Sequence, residues 1–139
     1  MSAFDTAKAF FEACEQPAGW AACERYVEPG ATFTAQAEPL TDVNTVEGYC
    51  EWMKGFGTVT APGASYDLHA AAYDEASRTA TFFATYHATH TGDGGPVPPT
   101  RQSTESHYVY VIRMSASGKV EAMTKIWNAP WAMRELGWL

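Results

Sequence analysis

Residues 117–138, SGKVEAMTKIWNAPWAMRELGW, decide how the rest of the chain is interpreted. Their pattern predicts a turn at Gly118, a strand over residues 120–127 and a short closing helix that ends at Gly137. Asn128 lies at the junction of the predicted strand and helix. The bulky or rigid residues next to it in the sequence are Trp127, Pro130 and Trp131. A polar side chain in this position is typical of a helix N-cap or of the floor of a pocket, and both interpretations stay open.

The composition indicates one globular domain. The chain has 139 residues, of which 46% are hydrophobic and 18% are charged, so it can bury a core without disulfide bonds. Aromatic residues make up 14% of the chain. This fraction suits a fold that encloses an aromatic-lined cavity, although a tryptophan-rich core or a subunit interface would also account for it.

The charge and the cysteines limit the partners and the compartment. A net charge of −7 argues against nucleic acid and anionic membranes as main partners. We find no apolar run of about 18 residues and no signal-peptide pattern, so the cytoplasm is the expected location. Cys14, Cys23 and Cys50 lack metal-ligand spacing, and we expect them to be reduced and buried.

The first half of the chain is predicted to be mainly helical. Apolar residues at helical spacing predict a helix over residues 2–14, and Pro17 and Gly19 separate it from a second helix that ends near residue 27. A short strand is predicted over residues 31–36. A third helix follows, with Asn44 as its expected cap.

The second half is predicted to be mainly strand. Strands are expected over residues 65–73, 79–91, 104–114 and 120–127, with a glycine- and proline-rich loop at 92–100. Helices that precede strands in this way indicate the α+β class. We therefore predict a single domain over residues 1–139, in which a curved antiparallel sheet packs on three N-terminal helices and a short C-terminal helix closes the chain.

Three short motifs resemble those of the SnoaL-like polyketide cyclases. Residues 90–101, HTGDGGPVPPTR, resemble the stretch HxG…G…PTG of that family, with Arg101 in place of its last glycine. GKV at residues 118–120 resembles the GKI turn that opens the family's final strand, and RELG at 134–137 resembles the terminal QQLG. The order of elements in the first half is similar to the wider nuclear-transport-factor-2-like superfamily.

The resemblance implies a fold and an assembly, but no reaction. It implies a cone, in which three helices wrap against a strongly bent sheet and a pocket opens at the wide end. It also implies a homodimer formed through the sheet. The superfamily includes cyclases, isomerases and proteins without catalytic activity, so the function must be argued from the site itself.

Asn128 is the position at which the chain departs from the cyclases. In that family an aspartate about eight residues before the leucine of the terminal motif acts as the acid/base, and Asn128 occupies this place. A carboxylate can take up and return a proton, whereas an amide can only donate and accept hydrogen bonds. The departure favours ligand binding over the family's reaction, unless Asn128 polarises a substrate oxygen.

His90, His107 and Asn128 are the candidate catalytic residues. Strand alternation puts His90 on one face with Tyr86, and it puts His107 on one face with Val109. We expect His107 and Val109 to face the interior of the cone, because a histidine among small apolar side chains suits a cavity wall. In the alternative phase Tyr108 and Tyr110 face inward and phenols line the pocket. For His90 the alternative role is to anchor the loop that follows it.

A second group of residues is predicted to contact a ligand because helical or strand position brings them near the cone. This group comprises Tyr26, Gln36, Trp52, Tyr86, Val109 and Thr124. Lys125 alternates with Thr124 and is expected on the outside, and the remaining carboxylates are expected in solvent. The rings of His87 and His90 diverge on a strand, so we expect no metal site, and no motif indicates a cofactor.

These observations support three hypotheses. The first is an enzyme of the cyclase or isomerase type that moves a proton next to the carbonyl of an apolar or aromatic substrate without a cofactor. The second is a protein that binds a small hydrophobic ligand without chemistry. The third is an interaction module that dimerises through its sheet.

Overall fold

The computed structural model describes all residues, 1–139, and has the predicted order of elements. Four α-helices are present: α1 (Ala3–Glu15), α2 (Trp20–Cys23), α3 (Val46–Gly55) and α4 (Ala129–Glu135). The first three form a layer over one face of a single sheet, and α4 follows the last strand. None of these helices combines the length and the apolar character needed to cross a membrane.

Five strands form one open, mixed sheet. They are β1 (Val27–Ala35), β2 (Ser65–Asp74), β3 (Thr79–Thr89), β4 (Ser103–Met114) and β5 (Val120–Trp127). Their order across the sheet is β1-β5-β4-β3-β2. The α+β class is confirmed, but the sheet is not wholly antiparallel as predicted, because β1 pairs with β5 in parallel. The first strand therefore lies at the edge of the sheet, beside the last strand, and runs in the same direction.

Local sequence signals explain where the first elements begin and end. Ser2 and Asp5 form a reciprocal capping box at α1. Gly19 precedes α2 with a φ of +82° and no side-chain cap, and α2 is a single turn followed by a 3₁₀ turn. The chain enters β1 at Val27, four residues before the predicted start. The register of β1 against β5 shifts where Gly30 adopts a φ of +75°.

The third helix is longer than its glycines suggest. Thr45, rather than Asn44, caps α3, because its side-chain oxygen accepts a hydrogen bond from the backbone N–H of Gly48. The helix then continues into a π-helical turn over Phe56–Thr60 instead of ending at Gly57. This turn presents Phe56 to the wide end of the cone, beside Trp52. Irregular turns of this kind are frequent at functional sites.

The core lies between the helical layer and the inner face of the sheet. On β4, Tyr108, Tyr110, Ile112 and Met114 are buried, whereas the alternate residues are half-buried or exposed. Phe11 on α1 stacks on Phe82 of β3 with a centroid distance of 4.8 Å. The inward residues of β4 and β3 therefore form the floor on which α1 packs.

The closing helix ends in a paired C-cap that fixes the last residues. Gly137 has a φ of +77°, and its N–H donates to the carbonyl of Arg134. The N–H of Trp138 donates to the carbonyl of Met133. These two bonds form a Schellman motif, and the prediction that Gly137 ends the helix is confirmed. The motif directs the Trp138 ring back over the end of β3.

Candidate functional site

The inner face of the sheet is the phenol-lined one. Tyr108 and Tyr110 are buried beneath the helices, whereas His107 is exposed and Val109 is only half-buried on the opposite face. The prediction that His107 and Val109 face the interior is therefore wrong, and the alternative phase is the correct one. Tyrosine buries a large apolar ring and can satisfy its hydroxyl within the core, so it competes well with valine for the inner positions.

Lys125 is the main residue that sequence reasoning assigned to the wrong side. It was expected outside, yet only 6% of it is exposed and it points into the cone from β5. Its Nζ donates a hydrogen bond of 2.8 Å to the hydroxyl of Tyr49 on α3. The Tyr49 hydroxyl is in turn 2.7 Å from that of Tyr110. The buried amine thus bonds one phenol directly, and this phenol contacts a second one.

A buried carboxylate completes this network on α1. Glu15 is 2% exposed, which contradicts the expectation that the remaining carboxylates lie in solvent. The hydroxyl of Tyr108 donates to Glu15 Oε2 at 2.8 Å, and that of Tyr110 donates to Oε1. A continuous path of hydrogen bonds therefore runs from Lys125 through Tyr49 and Tyr110 to Glu15. Every charged group in it has a partner, as burial requires.

Burial shifts the protonation of both charged groups toward their neutral forms. Desolvation lowers the pKa of Lys125 from 10.5 to about 8, although the charge of Glu15 opposes this effect. Desolvation also raises the pKa of Glu15, against the attraction of Lys125 and the hydrogen bonds from Tyr110 and Tyr108. The amine can therefore exist in both protonation states close to neutral pH, which suits an acid–base group.

Aromatic rings surround the amine. The Nζ of Lys125 lies 4.9 Å from the ring centre of Trp127, 5.0 Å from that of Tyr49 and 5.3 Å from that of Tyr108. Trp52 adds a fourth ring at 5.8 Å. The negative faces of such rings stabilise the ammonium form, and the same rings exclude water.

A small enclosed space lies beside Lys125. Its volume is about 20 Å³, enough for about one water molecule. Tyr86 lines this space together with Lys125 and Tyr108, and the Tyr86 hydroxyl is buried without a hydrogen-bond partner. The Tyr86 hydroxyl is thus a free donor on a side chain that lines the same space as the amine. The interior of the cone is otherwise filled by side chains.

A larger cleft lies outside this space, at the wide end of the cone. It has a volume of about 500 Å³ and is bordered by the π-helical turn, the glycine-rich loop and Trp138. Trp52 and Phe56 line both the cleft and the inner space, and their rings stack with a centroid distance of 5.5 Å. These two side chains therefore separate the amine from the rim.

His90 is buried but anchors the loop that follows β3. Its Nδ1 accepts a hydrogen bond of 2.9 Å from the indole N–H of Trp138 and a longer one of 3.4 Å from the backbone N–H of Thr100. The backbone of His90 also pairs with Gln102 and Arg101. The Nε2 atom has no partner and lies against Gly95. His90 thus has the anchoring position, and a catalytic role for it stays a prediction.

Asn128 and Thr124 lie on the outer side of the sheet, where neither can reach the interior. The Thr124 hydroxyl is 3.1 Å from that of Thr34 on the exposed face. Asn128 is exposed at the N-cap position of α4, but its side chain makes no capping hydrogen bond. Its backbone N–H donates to the carbonyl of His107. The prediction that Asn128 and Thr124 line the pocket is therefore wrong, because Lys125 takes the inward position of this strand.

The remaining predicted contacts divide between the rim and the surface. Trp52 and Tyr86 line the inner space as expected. Tyr26 lies half-buried at the edge of the core, with the guanidinium of Arg25 at 4.9 Å from its ring centre. Gln36 is exposed in a shallow groove beneath α4. The structure therefore does not bring Tyr26 or Gln36 to the same site as Lys125.

Two signals in the sequence could have revealed the buried charges. Glu15 follows Phe11 by one helical turn, so it continues the apolar stripe of α1. Lys125 shares one face of β5 with Met123 and Trp127, which are large apolar residues two positions before and after it. The alternation is hard to recognise in the sequence, because Ile126 is apolar and yet belongs to the outer face, where it is 60% exposed.

The three cysteines also converge in the fold. Cys14, Cys23 and Cys50 are free and buried, as expected, and they come from α1, α2 and α3. Their sulfur atoms all lie within 4.8 Å of one another. Hydrogen bonds from the thiols of Cys14 and Cys50 lower the pKa of Cys23, whereas burial raises that of Cys14.

Comparison with known proteins identifies the fold. No protein-family model matches the chain, and no curated protein matches it. A candidate SnoaL-like polyketide cyclase from Jannaschia sp. CCS1 is similar, with a TM-score of 0.79 at 14% identity over 96% of this chain and 90% of that one. IdmH from Streptomyces antibioticus, a candidate polyketide cyclase, gives 0.77 at 15% identity over 99% of each chain. AclR from Streptomyces galilaeus, a candidate hydroxylase, gives 0.70 at 21% identity over 96% of this chain and 87% of that one.

The chain therefore has the α+β cone fold of SnoaL-like polyketide cyclases and nuclear-transport-factor-2-like proteins. The resemblance drawn from the short motifs is confirmed at the level of the fold. The same fold carries different activities, so a function must be argued from the residues inside the cone. The homodimer implied by the resemblance stays a prediction.

Proposed function

We propose that this protein is a cofactor-independent enzyme of the cyclase or isomerase type, which moves a proton next to the carbonyl group of a small, mostly apolar substrate. The observation that carries the proposal is the pairing of Lys125 with Tyr86. A buried amine and an unpartnered phenol line one water-excluded space. A base and a hydrogen-bond donor to an oxyanion are the two groups that such a reaction needs.

In the proposed reaction Lys125 is the base and Tyr86 polarises the carbonyl. The neutral amine of Lys125 removes a proton from the carbon next to the carbonyl, and negative charge develops on the carbonyl oxygen. The phenol of Tyr86 donates a hydrogen bond to that oxygen. The resulting ammonium is stabilised by Tyr49 and by the surrounding rings, and it returns the proton at the same or another substrate atom.

The substrate reaches the amine from the rim cleft in this proposal. The space beside Lys125 holds only about one water molecule, so the rings of Trp52 and Phe56 must move apart when a substrate enters. The cleft itself has the volume of a small-molecule site. The bound substrate would take the place of these rings beside the amine. It would thereby keep water away from the amine and preserve the low pKa of Lys125.

The fold comparisons add support for a carbonyl substrate. Two of the similar structures are candidate polyketide cyclases, and polyketides are rich in ketone groups. The present chain has no carboxylate at position 128, but the proposal does not require one, because Lys125 supplies the base from the inner face of β5, three residues earlier.

The proposal is tested by proton exchange. Small cyclic ketones and 1,3-diketones are incubated with the protein in D₂O, and loss of the signal from the protons next to the carbonyl is followed by ¹H NMR. We expect exchange above the buffer rate, which Lys125→Met reduces by about 10²–10⁴-fold. Tyr86→Phe is expected to reduce it by about 10²-fold or more. Lys119→Met, which changes an exposed lysine in the β4–β5 turn, should leave it unchanged.

Two outcomes would contradict the proposal. In one, the parent protein exchanges no faster than buffer with every ketone. In the other, Lys125→Met exchanges as fast as the parent while circular dichroism shows that both are folded. If a small hydrophobic ligand co-purifies in native mass spectrometry and no exchange is found, the rim cleft of about 500 Å³ favours the second hypothesis, a non-catalytic binding protein.

A further inference from the structure

All the cysteines of the chain meet at one place, although they are far apart in sequence. Cys14 lies near the end of α1, Cys23 ends α2 and Cys50 lies in the middle of α3. None of them is more than 1% exposed, and the three sulfur atoms lie within 4.8 Å of one another. Three separate helices therefore direct their only thiols to a common point.

We propose that Cys14, Cys23 and Cys50 together bind one cuprous ion. Three sulfurs that surround an ion at about 2.3 Å in a plane are about 4 Å apart. The observed limit of 4.8 Å means that small side-chain adjustments would reach this arrangement. Soft thiolate ligands favour Cu(I) over the harder ions that prefer oxygen.

The surroundings favour Cu(I) over zinc. Structural zinc sites are almost always tetrahedral and need a fourth ligand. Each cysteine is followed in sequence by a glutamate, of which Glu15 already accepts hydrogen bonds from Tyr108 and Tyr110, while Glu24 and Glu51 are exposed. The hydroxyl of Tyr110 also contacts the sulfur of Cys14 at 3.7 Å. The thiols are closed off from solvent, so water is not at hand as a fourth ligand, whereas a three-coordinate Cu(I) does not need one.

The charge of the site can be balanced locally. Each thiol that binds as a thiolate releases a proton, and one Cu(I) neutralises one thiolate. Lys125 is connected to Cys14 through two phenols, because Tyr49 contacts both Lys125 and Tyr110, and the hydroxyl of Tyr110 contacts the sulfur of Cys14. The ammonium form of Lys125 would offset part of the remaining negative charge.

The α2 turn provides the simplest entry path. It consists of four residues, has no side-chain cap and follows Gly19 at a positive φ. A hydrogen bond of 2.8 Å from the backbone N–H of Trp20 to Glu51 holds its start against α3. Displacement of this single turn would expose Cys23 and open the cluster without unfolding α1 or α3.

The test is a copper titration of the reduced protein under anaerobic conditions. Cu(I), supplied as its acetonitrile complex, is titrated against the chelator bathocuproine disulfonate, and X-ray absorption reports the ligands. We expect one ion per chain, with about three sulfur neighbours at about 2.3 Å. Cys14→Ser, Cys23→Ser and Cys50→Ser should each weaken binding by at least about 100-fold. Met123→Leu removes another buried sulfur and should leave the affinity unchanged.

Several results would overturn the proposal. They are the absence of binding in competition with the chelator, fewer than three sulfur neighbours, or a Cys23→Ser variant with the affinity of the parent. A parent protein that forms a disulfide between two of these cysteines and, once reduced, takes up no copper would show that the cluster is redox-active instead. If a serine variant fails to fold by circular dichroism, the corresponding alanine variant takes its place. Zn²⁺ titrated in the same way should bind more weakly than Cu(I).

Discussion

The two faces of the sheet differ in a way that their amino-acid composition conceals. The inner face of β4 and β5 carries two tyrosines, a lysine and a tryptophan among aliphatic side chains such as Ile112 and Met123, whereas the outer face carries valines, an isoleucine, a threonine and a histidine among charged side chains such as Glu105 and Arg113. Both faces therefore carry aliphatic side chains. The polar atoms of the inner residues satisfy one another within the core, whereas the polar pairs of the outer face, such as Arg113 with Glu121 and Thr124 with Thr34, lie at the surface, where water can replace either partner.

This difference shows that hydropathy alone does not place every residue, because Lys125 lies on the buried face together with the aliphatic side chains. Lys125 is stable inside the cone because Tyr49, Tyr110 and Glu15 form a continuous set of hydrogen-bond partners. Removal of one member leaves the others buried and unpaired, which costs more than the loss of an exposed side chain. The inner network should therefore respond strongly to mutation and the outer face weakly.

The largest effect is expected for Glu15→Ala. This change leaves the hydroxyls of Tyr108 and Tyr110 without their common acceptor, and it removes the opposite charge that favours the ammonium form of Lys125. We expect the free energy of unfolding, measured in urea, to fall by about 3–5 kcal/mol. Glu12→Ala on the exposed face of the same helix is the control and should change it by less than about 0.5 kcal/mol. Equal effects of the two variants would contradict the account of the inner face.

The stability of the protein should also depend on the protonation of Lys125. Between pH 8 and 10.5 the unfolded chain holds a proton on this amine that the folded chain has lost, because the folded pKa is about 8. Stability must therefore rise with pH across this window, by about 3 kcal/mol in all, and this gain must be lost as the pH falls through 8.

This contribution is isolated by comparison with Lys125→Met. The buried tyrosines have raised pKa values, so their titration lowers the stability of both proteins above pH 10. This contribution cancels when the unfolding free energy of the variant is subtracted from that of the parent. We expect the unfolding free energy of the parent to increase relative to that of the variant as the pH rises from 8 to 10. A difference that is constant over this range would mean that Lys125 keeps an ordinary pKa.

A smaller effect is expected for Tyr49→Phe. The change keeps the ring but removes the acceptor of Lys125 and the neighbour of the Tyr110 hydroxyl. We expect a loss of about 1–3 kcal/mol in chemical denaturation. Tyr73→Phe, at the edge of the core, serves as the control and should lose less than about 0.5 kcal/mol. The network would be unimportant for stability if the two losses were the same.

The smallest effects are expected on the outer face. His107→Ala and Asn128→Asp alter exposed side chains that make no contact with the interior. Each should change stability by less than about 0.5 kcal/mol and leave carbonyl proton exchange unchanged. A large gain of exchange in Asn128→Asp would restore the cyclase-like role of this position and contradict the assignment of the faces.

Much of the fold could be predicted from the sequence, because local signals determine it. The strand over residues 120–127, the capping box of Ser2 and Asp5 and the C-terminal Gly137 are all local patterns, and all are found in the structure. The parallel pairing of β1 could not be predicted, because it depends on which edge of the sheet the strand joins. Local patterns specify an element but not its neighbours.

The candidate site could be predicted only in part. Alternation identified which residues of β4 share a face, but it could not decide which face is buried. Glu15 was assigned to solvent because its partners, Tyr108 and Tyr110, lie more than 90 residues away in the sequence. Tyr86 and Trp52 line the inner space, since the strand phase and the helical layer bring them to the cone, and their contact with a ligand stays a prediction.

The most direct test of the inner-face site is the titration of Lys125 by NMR. The protein is labelled with ¹³C at the ε-carbon of lysine, and the Lys125 signal is assigned by its loss in Lys125→Met. We predict a midpoint near pH 8 for this signal in the folded protein. A midpoint at the ordinary lysine value of 10.5 would show that the amine is solvated and would contradict the proposed role of Lys125 as the base.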